Sequence, residues 1–175
     1  ALLFDMVRMA AEKSKTLSKL TEAQASNGGF SWFKGGPDDR YMTQYIITGI
    51  GHLRKLNALT KEDYTSLKPM VDRAVPYLDA RIKEDYDLLV KRKVKLSQHN
   101  LSYYAIQYLY MRSFFPEMKV SANAQKAYDY YRGQTKTYWL SQGKYMQGMI
   151  ALSLHRSGDT KVPQAIIKSL KENAI

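Results

Sequence analysis

At 175 residues the chain is the size of one domain and long enough to bury a continuous core. It contains no cysteine, which excludes a disulfide framework, a thiolate metal site and a cysteine nucleophile within this stretch. Lys and Arg number 27 against 16 Asp and Glu, and the resulting +11 would favour an anionic partner, but the basic residues are scattered rather than gathered into a stripe.

The first predicted helix runs from about Leu3 to Ala25. It lacks Gly and Pro, and Met6, Met9, Ala10, Leu17, Leu20 and Ala23 fall near helical spacing. Ser26-Asn27-Gly28 is a stop signal. A loop from Asn27 to Arg40 follows, holding Gly28, Gly29, Phe30, Trp32, Phe33, Gly35 and Gly36. Phe30 and Trp32 would share one face if this loop is extended, so it is expected to pack inward and pin two helices together. Its glycines form neither a dinucleotide fingerprint nor a P-loop.

Pro37-Asp38-Asp39 opens a second helix, which reaches Leu56 and carries Tyr41, Met42, Tyr45, Ile46, Ile47, Ile50 and Leu53. Apolar residues cover more than one stripe, so burial on most sides is expected, with Gly49 and Gly51 allowing close helix packing. Thr60-Lys61-Glu62-Asp63 has the form of a capping start. The third helix extends to about Val94, with a narrow stripe of Leu67, Val71, Ala74, Leu78 and Ile82 that suits an outer position. Pro76 is expected to kink or restart it. Leu101 to Phe115, dense in tyrosine, is a fourth helix buried on most sides and ended by Pro116. Ser121 to Trp139, Tyr145 to His155 and a segment from Val162 complete seven predicted helices. The run Lys91-Arg92-Lys93-Val94-Lys95 reads as a solvated helix end.

The class is therefore all-α, a single domain over residues 1–175. Amphipathic and more apolar helices alternate through short connections, so neighbours should be antiparallel and form inner and outer layers. Successive α-hairpins that keep curving give either a solenoid or an α/α toroid. The start at Ala1-Leu2-Leu3-Phe4 and the end near Asn173 fall in mid-pattern, and a piece of a longer protein is expected.

Gln24, then Asn27-Gly28-Gly29-Phe30-Ser31-Trp32-Phe33, then Gly35-Gly36 and Tyr41-Met42-Thr43-Gln44-Tyr45 carry a resemblance. Together they resemble the Q-x-x-[ND]-G-G-[FW]-x-[WF]…GG…Y-x-T-x-Y block in the thioester-type helical domain of the bacterial alpha-2-macroglobulin family, a domain shared with complement components. Met111-Arg112-Ser113-Phe114-Phe115 and Tyr145-Met146-Gln147-Gly148-Met149 point to the large homologues of Bacteroidetes. The resemblance implies a partial α/α toroid of the terpenoid-cyclase type. It also implies a role in protease trapping or host interaction, and a periplasmic or cell-envelope location. It makes Gly28, Gly29, Phe30, Trp32, Phe33, Gly35, Gly36, Tyr41 and Tyr45 a structural signature. In the family a thioester joins a Cys and a Gln upstream of this block. This stretch, without Cys, cannot form it. Some members use a His in acyl transfer, and His99 is the one loosely placed counterpart.

No catalytic residue, metal ligand or cofactor is expected. His52, His99 and His155 are far apart in sequence with no zinc spacing. There is no nucleophile elbow. Asp38-Asp39 suits capping, and Glu84, Asp85 and Asp87 lie on a charged helix side. The expected partners are neighbouring domains of a parent chain and, through it, target proteases. Nucleic acid is not expected, and membrane contact is expected only through a lipid anchor on the parent. Two alternatives from other classes are a toroid enzyme acting on carbohydrate or isoprenoid, and a basic interaction module.

Overall fold

The computed structural model describes residues 2–173, apart from the side chains at positions 2–8, 10, 13 and 14. Helix accounts for 68% of it, in seven α-helices, with one two-stranded sheet. The helices are α1 (Leu2–Glu22), α2 (Arg40–Lys55), α3 (Lys61–Lys91), α4 (Tyr103–Arg112), α5 (Gln125–Tyr138), α6 (Lys144–Arg156) and α7 (Lys161–Glu172). Strands β1 (Phe30–Ser31) and β2 (Asp38–Asp39) pair antiparallel between α1 and α2. Met6 and Ala10, expected on an apolar face of α1, lie outside the described side chains, and Met9 is exposed. Among the described residues no helix is long and apolar enough to cross a membrane.

Helices α2, α4 and α6 lie in a row; α3 backs α2 and α4, α5 packs on α3 and α4, and α7 packs on α6. Chain order and local chemistry fix the helix ends. Asp39 caps α2 by accepting from the Met42 amide. Thr60 and Asp63 form a reciprocal capping box at the head of α3. Ser102 caps α4 through the Ala105 amide. Each supplies an acceptor to first-turn amides that have no partner inside the helix.

Helix α3 is amphipathic, with one face packed and the other exposed. Leu67, Val71, Ala74, Leu78 and Ile82 are buried as the stripe requires, and Met70, Val75, Tyr77 and Tyr86 widen that face because three elements press on it. It also runs through Pro69 and Pro76 without a restart. Both prolines are exposed, so the carbonyls of Thr65 and Asp72 that lose an amide partner lie on the solvent side.

Helix α4 is buried on most sides, with only its first turn exposed, whereas α2 and α6 are not. Helices α2 and α6 each pack one face and turn the other outward, leaving Tyr45, Leu53, Tyr145 and Leu152 exposed; on α4 only Tyr103 and Tyr104 are. The two glycines of α2 also part company. A Cβ on Gly51 would stand 2.6 Å from Phe114, so this glycine permits the close approach of the segment after α4; a Cβ on Gly49 would meet open space.

A polar knot sits within the core. Asp79 of α3 accepts from the Tyr108 hydroxyl at 2.6 Å and lies 3.4 Å from Nε of Arg112. Arg112 also donates to the Met118 carbonyl at 2.7 Å. Burial pushes the Asp79 carboxyl above its usual range, and the neighbouring Arg112 opposes that rise.

Candidate functional site

The signature stretch folds as a small hairpin clamped onto α3. Gln24 is buried, and its amide donates to the carbonyls of Gly28 and Met70, both at 2.9 Å. Asn27 accepts from the Gly29 amide at 3.0 Å and donates to Asp38 at 3.1 Å. Gly28 has φ +94, and its backbone rests on the Arg73 carbonyl with no room for a side chain. A Cβ on Gly29 would strike Asp38 and the Tyr77 ring at 2.8–2.9 Å. Phe30 is fully buried, and its amide donates at 2.8 Å to the Thr43 hydroxyl, which in turn donates to the Asp39 carbonyl. Tyr77 of α3 closes the clamp, donating to Asp38 at 2.7 Å. That bond, with a second from Asn27, holds the Asp38 carboxyl below its usual range.

Trp32 does not follow Phe30 inward. It is 62% exposed, and Phe33 67%. The two-residue period holds only while the chain stays extended, and β1 ends at Ser31, whose hydroxyl bonds the Phe33 carbonyl. Past that point the chain turns. Gly35 takes φ +79 in the turn, and Gly36 lies under the Phe33 ring, where a Cβ would come within 3.0 Å.

Trp32 instead begins an aromatic row on the outward face of the helices. Its ring is 6.2 Å from Tyr41 with an interplanar angle of 13°, and Tyr41 is 6.4 Å from Tyr45 at 20°. Near-parallel rings that far apart are staggered, so much of each face stays uncovered. Tyr103 and Tyr104 continue the row on α4, 6.1 Å apart edge to face, and the Arg40 guanidinium lies over Tyr104. Partial desolvation, together with the nearby hydroxyls of Tyr41, Tyr145 and Tyr104, raises the Tyr103 pKa.

Beside the row runs a groove of about 600 Å³. Tyr45, Gly49 and His52 of α2 form one wall; Tyr145, Gly148 and Leu152 of α6 form the other; Tyr110 of α4 lines it between them. A Cβ on either Gly49 or Gly148 would meet nothing within 4 Å, so these glycines widen the groove. Tyr110 and His52 are hydrogen-bonded across its base at 3.1 Å.

The structure brings the signature residues into one unit but divides them. Gly28, Gly29 and Phe30 belong to the clamp, Gly35, Gly36 and Phe33 to the hairpin turn, and Trp32, Tyr41 and Tyr45 to the exposed row. His99 stands apart, exposed, 4.8 Å from the Tyr138 ring and hydrogen-bonded to Gln142. Of the acidic residues weighed for chemistry, Asp38 and Asp39 hold the clamp and the α2 cap, Asp85 pairs with Arg40 at 2.6 Å, Glu84 pairs with Arg81, and Asp87 with Lys83. Among the described residues no group of three His, Asp or Glu could hold a metal ion.

Sequence reasoning missed Tyr77, which lies 39 residues from its Asp38 partner. It also read Tyr103, Tyr104 and Tyr145 as core. A usable signal was their sheer number, 14 tyrosines against five phenylalanines, since a polar tip on an apolar body suits a half-wet face. Compared with protein-family models, with curated proteins and with solved structures, the chain matches none.

Proposed function

We propose that this chain is a non-catalytic helical scaffold of an alpha-2-macroglobulin-like protein, in which the aromatic row is the docking face for a neighbouring domain. The observation that carries the reading is the division of labour within the signature. Gln24, Asn27, Gly28, Gly29, Phe30 and Thr43 are each consumed by a bond or a close contact within the clamp. Trp32 and Tyr45, from the same short block, have no such internal use and are exposed, with the half-buried Tyr41 stacked between them. A contiguous exposed aromatic surface of this kind is characteristic of protein contact faces.

On this reading the row of α2, α4 and α6, backed by the other helices, is part of an α/α toroid. The rest of the parent supplies the bait segment and any thioester. The acidic side chains are tied to structural partners, which favours scaffold over hydrolase. The test uses the parent protein. Incubated with a panel of proteases, it should be cleaved at a bait segment and retain the protease, and Trp32→Ala/Tyr41→Ala/Tyr45→Ala should impair retention. Cleavage without retention of any protease would remove the trapping role, and full retention by the triple variant would remove the docking face.

A further inference from the structure

A second site lies away from the aromatic row, where α2, α4 and α6 end. A cleft of about 770 Å³ opens there, lined on its basic side by Arg54 and Lys55 of α2 and by His155 and Arg156 of α6. Among the described residues none that lines it is acidic. Its volume is that of a small-molecule site.

Arg54 is already engaged, by Glu117 at 2.5 Å and the Tyr64 hydroxyl at 2.8 Å. Arg156 is not. Its guanidinium lies 4.1 Å from the centre of the Phe114 ring and donates once, at 3.2 Å, to the Ser113 hydroxyl. Among the described residues no carboxylate stands within ion-pair distance of Arg156 or Lys55. Contacts with the Phe114 and Tyr110 rings hold the guanidinium in place, and with one hydrogen bond made it keeps N–H donors with which to meet an oxyanion.

The ordinary use for cations at helix C-termini is to satisfy the last carbonyls. Those carbonyls are already bonded here. Leu53 and Arg54 accept from Ala58 and Asn57, Met111 and Arg112 from Phe114 and Phe115, and Leu154 and His155 from Asp159 and Gly158. None of these bonds comes from Arg156 or Lys55, so their charge is free for a ligand.

We infer that this cleft binds a small organic anion, its carboxylate or phosphate held by Arg156 and Lys55 and its apolar body set against Phe114, Pro116 and Leu152. The site shares Leu152 with the groove beside the aromatic row but contains no residue of the row itself, and it does not rest on the scaffold reading.

The test is a titration of the protein with benzoate and with phenyl phosphate, followed by amide chemical shifts, with benzyl alcohol as the neutral control. At least one anion should bind saturably and move the amides of Lys55, Ser113 and Arg156; which one binds separates a carboxylate ligand from a phosphate ligand. Arg156→Gln should weaken binding by about tenfold or more, the effect of losing one charge-assisted bond. Arg156→Lys, which keeps the charge but not the fork, should recover only part of the loss, and Trp32→Ala should bind as the wild type does. If Arg156→Gln lowers the thermal midpoint, Lys55→Gln carries the test with a smaller but measurable loss. Failure of both anions to bind, equal binding of benzyl alcohol, or wild-type affinity in the charge-removing variants would overturn the proposal.

Discussion

The Cβ that Gly28 lacks would stand 2.3 Å from the carbonyl oxygen of Arg73. That separation is well inside van der Waals contact, and the atom struck is backbone of α3, which cannot swing aside. The glycine also sits at φ +94. Strain at positive φ and overpacking each cost about 1–3 kcal/mol, so Gly28→Ala should lose about 2–6 kcal/mol of unfolding free energy. Urea denaturation measures this, and a loss under about 1 kcal/mol, the net value of a single hydrogen bond, would contradict the clamp.

Gln24 joins the end of α1 to α3 through the Met70 carbonyl. Gln24→Leu keeps the bulk and removes both amide donors, leaving the Gly28 carbonyl without its side-chain partner. The expected cost is about 1–3 kcal/mol. Hydrogen exchange at residues 25–30 should rise with it, because the variant unfastens the hairpin from α3 before the rest of the core opens.

The Tyr77–Asp38 bond sets a pH dependence. The bonds from Tyr77 and Asn27 hold Asp38 below the usual aspartate range in the folded chain. Its contribution is therefore fully present above the unfolded pKa and is lost as pH falls through the lowered folded pKa. Tyr77→Phe removes the main cause of the depression. The variant should be less stable than the wild type by about 1 kcal/mol at neutral pH, and the gap should shrink in acid. A gap that holds constant from neutral pH into acid would show that the hydroxyl does not act through the charge of Asp38.

Asp79 and Arg112 are both almost fully buried. Removing one partner strands the other charge in the core, so Asp79→Ala should cost about 3–5 kcal/mol. Because the loss belongs to the pair, Asp79→Leu with Arg112→Met should cost much less than the sum of the single variants. Additive losses would mean the two groups act separately.

Periodicity carried most of the helical reading, since Leu67, Val71, Ala74, Leu78 and Ile82 recur at the spacing of one helix face and are buried together. Capping was legible at Thr60 and Asp63 for the same local reason. What periodicity cannot state is which neighbours a face will have. Tyr45 and Tyr145 are apolar enough to be read as core, yet face out because the row of helices is covered on one side only. Gly49 and Gly51 are two residues apart, about 200° around a helix, so they could not both serve one contact. Only Gly51 meets a neighbour. The long-range bonds of the clamp, Gln24 to Met70 and Asp38 to Tyr77, were invisible for a simpler reason: nothing local marks their distant partners.

The division of the signature into a buried clamp and an exposed row is tested most directly by comparing Phe30→Ala with Trp32→Ala in equilibrium unfolding. Phe30 is fully buried and Trp32 is 62% exposed. Phe30→Ala should cost about 3–5 kcal/mol and Trp32→Ala about 1 kcal/mol or less, the value of its stacking on Tyr41. Equal losses for the two variants, or a loss at Trp32 as large as that predicted for Phe30, would contradict the account.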